Sequence, residues 1–241
     1  MNRNLWLGLG CFALAAGLTI NSLLGPLAMA VIDYHYTETF ENQGIGLDAF
    51  TLVFAAPLLI LAGVLTLRGH VAGPLLTLGP ALMAAYMLPQ YVLGAHYVEL
   101  PGSNEDFFPL HLGLFVLSAG VAVLAWNSVE PADLPDTSRR YDLWTGIVLL
   151  AVAAFLLLRY LPTLAGIWSD DPTDEYLDDP IAFWIIAFLD LGILMPVAAA
   201  GGVSMLRGVD SAQKLMYTVV VWFALVGPAV RGDGLRDGAQ R

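Results

Sequence analysis

At 241 residues, 58% of them hydrophobic and only 13% charged, the chain departs far from the roughly one-quarter charged residues of a soluble domain. It reads as a single all-α membrane domain, with room for six or seven spans of about 20 residues each. The net charge of −11 comes from 15 Asp and 6 Glu against 9 Arg and one lysine, Lys214. That balance argues against nucleic acid or acidic lipid as a partner and fits a salt-tolerant, solvated loop surface.

Apolar runs near 5–31, 48–67, 71–94, 108–127, 143–167, 181–206 and 214–230 predict seven transmembrane helices. The first run is too long for the apolar core of a signal peptide, and no small-residue cleavage site follows it. It contains the only cysteine, Cys11, which therefore forms no internal disulfide and reads as a small buried apolar side chain. Arg3, Arg68, Arg139, Arg140, Arg207 and Lys214 fall on one side of this scheme. The loops 32–47, 95–107 and 168–180 contain no Lys or Arg. By the positive-inside rule the N-terminus is cytoplasmic at the cell membrane and those acidic loops face outward. The last run, Leu215 to Val230, is short for a full crossing. Spanning is the favoured reading, because Pro228 then corresponds to Pro89, and it puts Arg231, Arg236 and Arg241 outside.

An internal repeat organises these helices. Leu5, Trp6 and Gly8 recur as Leu143, Trp144 and Gly146. Pro57-x5-Gly63-Val64-x2-Leu67-Arg68-Gly69 recurs as Pro196-x5-Gly202-Val203-x2-Leu206-Arg207-Gly208. Helices one to three would match five to seven, with the fourth helix, about 108–127, as linker between repeats of about 1–95 and 143–230. Because one and five are both odd-numbered, this is a parallel 3+1+3 repeat.

Several short motifs carry a family resemblance. The pattern Gly46-x-Asp48-x-x-Thr51-Leu52, followed by Pro57 and Arg68-Gly69, resembles a prokaryotic family of multi-pass membrane proteins of unknown function. Phe108-x-x-His111 and Leu189-Asp190-Leu191, six residues before Pro196, are similar to the same family. The resemblance implies architecture and no activity.

Polar groups inside the apolar runs are the candidate site. A charge at the bilayer centre costs about 2.5–3.5 kcal/mol on insertion scales, so it faces the bundle interior and has a partner. Arg159 and Asp190 fall at equal predicted depth, close to the midplane, and Asn21 aligns with Arg159 in the repeat. These three form the expected solute- or ion-binding centre. A fixed Arg159–Asp190 pair that only holds two helices in register is the structural alternative. Nearer the predicted outer side are Asp48, Gln90, Tyr91 and His111, with His35 and His96 in adjoining loops. No histidine pair has helical ligand spacing, so metal is the weaker reading there. Trp6, Tyr34, Tyr36, Phe107, Phe108, Trp144, Trp168 and Trp184 near span ends read as interface anchors. Lys214 sits too near a helix end for a retinal Schiff base, no phosphate loop or catalytic motif occurs, and no cofactor is expected. The chain reads as a small polytopic protein that binds or moves a small polar solute or ion between its repeats. The alternative is a scaffold or accessory subunit that docks a membrane partner or a second copy of itself; an embedded enzyme ranks third.

Overall fold

The computed structural model describes residues 3–135, 137–209 and 212–229, and every regular element among them is helical. Among the described residues six helices are long and apolar enough to cross a membrane: α1 (Arg3–Leu24), α2 (Glu38–Leu67), α3 (Ala72–Leu93), α4 (Asn104–Ser128), α5 (Arg139–Trp168) and α6 (Pro180–Arg207). The protein is thus a multi-pass helical membrane protein. A further helix, α7 (Ala212–Ala229), is 18 residues long, about 27 Å at 1.5 Å per residue. Arg231, Arg236 and Arg241, on which the orientation of the tail turned, lie outside the described residues.

Two predicted boundaries move. The first helix stops at Leu24 rather than 31, because Pro26 disfavours helical backbone at Gly25. The apolar stretch beyond folds back instead: the amides of Val31 and Ile32 both reach the Leu24 carbonyl at 2.8 Å, supplying donors that the helix end lacks. The second helix begins at Glu38, ten residues before the apolar run at 48. Thr37 caps it by accepting from the Phe40 amide at 3.3 Å, and Glu38 and Glu41 occupy the first turn, where acids suit the positive end of the helix dipole. Asp48 therefore lies about 15 Å inside this helix and not at its mouth.

The chain packs as two compact units, residues 1–129 with 220–241, and residues 130–219. In the first, α1 buries Leu7, Cys11, Leu14 and Leu18, a stripe at helical spacing, against α2, α3 and α4. In the second, α5 packs along α6, and Tyr160, Phe183 and Ala187 form a buried nucleus. Arg139 donates to the Met205 carbonyl at 3.0 Å and to the Leu206 carbonyl at 2.7 Å, a cationic cap at the negative end of α6. Apolar side chains such as Val116 and Val123 on α4 and Phe155 and Leu158 on α5 remain exposed, the faces that a bilayer covers.

Glycines set the closest helix approach in both units. A Cβ built on Gly8 would fall 2.7 Å from the Leu67 side chain and 3.4 Å from the Gly63 carbonyl oxygen. One on Gly146 would fall 3.0 Å from the Gly202 carbonyl oxygen, and one on Gly202 2.8 Å from that of Gly146. Small residues at such crossings let helix backbones meet.

Both second helices also contain one wide turn. Residues Thr51–Ala55 and Asp190–Leu194 are π-helical, with the Ala56 amide bonding back to the Thr51 carbonyl and the Met195 amide to the Asp190 carbonyl. Pro57 and Pro196 follow immediately. Proline lacks an amide hydrogen and its ring crowds the carbonyl four residues earlier, and the widened turn accommodates both effects within the helix. Each of these helices then ends at a left-handed glycine, Gly69 at φ 73° and Gly208 at φ 67°.

The α5–α6 crossing has a direct test. Gly202→Val forces a branched side chain into the Gly146 backbone and should cost about 1–3 kcal/mol of stability. Gly113→Val on α4, where an added Cβ meets nothing within 4 Å, should change stability by less than about 0.5 kcal/mol. Thermal unfolding of the two purified variants checks the contrast.

Candidate functional site

Each unit holds one buried polar cluster, and the two differ in how completely their groups are paired. In the second unit, the Tyr160 hydroxyl, on α5, donates to Asp190 Oδ2 on α6 at 2.6 Å. Arg159 Nη1 donates to the same hydroxyl oxygen at 2.9 Å and lies 3.9 Å from Asp190 Oδ2. Its other terminal nitrogen reaches Glu175 at 3.3 Å. The result is a closed chain from Glu175 through Arg159 and Tyr160 to Asp190. Arg159 is not the buried charge expected from the sequence: its side chain is 43% exposed, whereas that of Asp190 is 9% exposed. The long guanidinium stem climbs toward the Glu175 turn, as arginines in membrane helices commonly do.

The first unit brings together Asn21 on α1, Asp48 on α2, Tyr91 on α3, His111 on α4 and Tyr34 from the loop after α1, all buried. The Tyr91 hydroxyl donates to Asp48 Oδ1 at 3.3 Å, and Ser22 on α1 lies close enough to the carboxyl to interact with it. The rings of Tyr91 and His111 stack at 5.5 Å, and Tyr34 stacks on Tyr91 at 5.2 Å. Here the pairing is incomplete. Among the described residues, Asn21 Oδ1, Asp48 Oδ2 and both His111 ring nitrogens are buried and make no hydrogen bond, and the Tyr34 hydroxyl has only a close approach from the Asn21 side chain. Unpaired buried polar groups are rare in folded proteins and each costs about 1–3 kcal/mol.

Asn21, Ser22, Thr51 and Tyr91 also line a small internal space of about 20 Å³ between α1, α2 and α3. Thr51 opens the π-helical turn, so the widened backbone presents a hydroxyl to this space. Gln90 turns back on its own helix, donating to the Tyr86 carbonyl at 3.3 Å, while the Tyr36 hydroxyl donates to the Gln90 carbonyl at 3.1 Å. Of the six sequence candidates, Asn21, Asp48 and His111 thus gather in the first unit and Arg159 and Asp190 in the second. Gln90 satisfies helix backbone.

Sequence reasoning missed Tyr160, Glu175, Tyr34 and the lining role of Thr51. Tyr34 and Tyr36 are not interface anchors: they are 4% and 8% exposed and stack on each other at 4.9 Å. Pro57 and Pro196, inside otherwise unbroken apolar runs, were the available signal for irregular backbone beside Thr51 and Asp190.

Above the first cluster, two loops are tied together around His35. Its Nδ1 faces the Leu100 carbonyl and its Nε2 lies 2.8 Å from Glu105, while the His96 amide donates to the His35 carbonyl at 2.7 Å. Both ring nitrogens face acceptors, an arrangement that only the doubly protonated ring satisfies. The bond to the Leu100 carbonyl, with the neighbouring Glu105, holds its pKa above the ordinary value. A group raised in this way contributes its full stability below the unfolded value of about 6.5 and loses it as pH rises through the folded value. Wild-type thermal stability should therefore fall modestly between neutral and mildly alkaline pH, and His35→Gln should flatten that dependence. A second prediction concerns the paired cluster: Tyr160→Phe leaves Asp190 short of a donor and should cost about 1–3 kcal/mol, read by chemical unfolding in mild detergent.

His35, His96 and the acids near them do not amount to a metal centre: among the described residues no group of three or more His, Cys, Asp or Glu is placed to hold a metal ion. Compared with known proteins, the chain matches no family model, no curated protein and no solved structure.

Proposed function

We propose that this protein binds or moves a small polar solute or ion, and that the first unit's cluster of Asn21, Asp48, Tyr91 and His111 is where it does so. The observation that carries this reading is the set of buried polar atoms left without hydrogen bonds, one of them on Asn21, which lines a small space. A polar group shut away from water in a membrane bundle is retained against a steady energetic cost, and such groups mark solute and ion pathways. Discontinuous or irregular helix backbone beside them is the usual construction of membrane binding sites, and Thr51 supplies it here.

The architecture we propose has seven spans in a parallel 3+1+3 repeat, with the N-terminus in the cytoplasm and the acidic loops outside. Three local features support the repeat beyond its sequence identities. Gly8 approaches the Gly63 carbonyl as Gly146 approaches that of Gly202, a π-helical turn precedes both Pro57 and Pro196, and both Leu-Arg-Gly ends close on a left-handed glycine. Under this alignment Asn21 corresponds to Arg159, Ser22 to Tyr160 and Thr51 to Asp190.

A second reading has its own observation in its favour. The Glu175–Arg159–Tyr160–Asp190 chain is internally paired, which is how a structural pin between helices looks, and a scaffold or accessory subunit needs nothing more. Native mass spectrometry of the full-length protein, released gently from its membrane, separates the two. Binding predicts a small bound species that disappears in Asn21→Leu while the fold persists. Only a co-purifying subunit, with no small species in wild type, would sink the solute reading and favour the scaffold.

A further inference from the structure

Building on the reading of the first unit as a binding site, we infer that its ligand is a small monovalent cation, with Asp48 as countercharge and the Asn21 side-chain oxygen as a second ligand. The inference begins with charge. Asp48 is 0% exposed, and among the described residues it makes no ion pair and leaves Oδ2 without a hydrogen bond. An ionised carboxylate in a low-dielectric interior needs a positive partner. The second unit provides one for its own acid, Arg159 beside Asp190. In the first unit the corresponding residue is Asn21, which offers an amide in place of a guanidinium. Among the described residues, the titratable groups near the Asp48 carboxyl are Tyr34 and Tyr91, with His111 stacked on Tyr91, and none of them is a lysine or arginine.

The local field favours the same sign of ligand. Asp48 Oδ2 rests against Gly25, so closely that a Cβ there would come within 2.6 Å of it. Gly25 sits just past the C-terminal end of α1, at the negative pole of the helix dipole. A carboxylate at that pole is unfavourable without a countercharge, and the same field favours a cation beside it.

Donor chemistry and size narrow the class. Asn21 Oδ1 and Asp48 Oδ2 are unpaired oxygens, and the Ser22 and Thr51 residues lining the adjoining space bring two hydroxyls, an all-oxygen set suited to hard cations. One carboxylate balances one charge, whereas divalent ions are usually held by more than one. The space of about 20 Å³ admits roughly one water-sized particle. That scale suits a dehydrated alkali ion or ammonium.

Thermal unfolding of the full-length protein in detergent, followed by tryptophan fluorescence at fixed pH and ionic strength, tests this with lithium, sodium, potassium and ammonium chlorides against choline chloride. One of the small cations should raise Tm saturably, by about 3–6 °C at tenfold its dissociation constant. The shift should vanish in Asp48→Asn and persist in Asp190→Asn. Gly25→Ala, which keeps the carboxylate but displaces it, should weaken the apparent affinity at least about tenfold, so the test survives if Asp48→Asn does not fold. Identical curves in every salt overturn the inference, as does a shift retained in Asp48→Asn. So does stability that follows pH but no added cation, because a proton alone would then neutralise Asp48. A neutral species seen by native mass spectrometry alongside flat salt curves would leave the binding role standing and remove only the cation.

Discussion

The requirement that every backbone and side-chain polar group inside a bilayer find its partner within the protein shapes this molecule from end to end. Six apolar helices meet it in the ordinary way, by closing their own hydrogen bonds. The exceptions follow from residues that break the rule locally. Pro57 and Pro196 each remove one amide, and the backbone answers with a wide turn that keeps the helix continuous. The carbonyls freed at the end of α1 are met by the loop folding back through Val31 and Ile32. Buried acids raise the same demand in side chains, and the two units answer it differently.

That difference is one of local sequence. In the second unit Asp190 is the first residue of the π-helical turn, and Tyr160 and Arg159 converge on one of its oxygens. In the first, Thr51 holds the corresponding position and the acid lies three residues earlier, at Asp48, where Tyr91 satisfies only one of its oxygens. Two helix pairs, each with a π-helical turn, thus support a closed polar chain in one case and an open cluster in the other. The tyrosine and histidine rings around Asp48 add apolar walls without adding a charge, so the carboxyl stays in a setting where electrostatic effects are strong.

Much of the architecture was legible in the sequence because span length and apolar composition are direct consequences of bilayer thickness. Helix positions, the glycine-lined crossings and the wide spacing of the polar groups all leave marks of that kind. The start of α2 did not, since Glu38 to Gln43 are polar apart from Phe40 and a hydropathy window passes over a capped amphipathic turn. Equal depth brought Arg159 and Asp190 together as a pair but did not give their burial, because a long flexible side chain leaves its Cα level and a short one cannot. Tyr34 was unreadable for another reason. It comes from an irregular loop, where no periodicity announces which side chains turn inward, and only its stacking on Tyr91 brings it to the cluster.

The π-helical turn in α2 has a mechanical meaning beyond its hydrogen bonds. One extra residue in a turn rotates everything before it by about 100° relative to an unbroken α-helix. The segment carrying Asp48 and the segment carrying Gly63 are therefore aimed independently, although they are parts of one rigid rod. Gly63 must face α1 for the helices to touch, and Asp48 must face Gly25 and Tyr91. Deleting a single residue between them would restore a regular helix and leave both halves intact in sequence, yet no orientation of the rod would then satisfy both contacts. The insertion acts as a fixed angular offset that lets one helix answer to two neighbours.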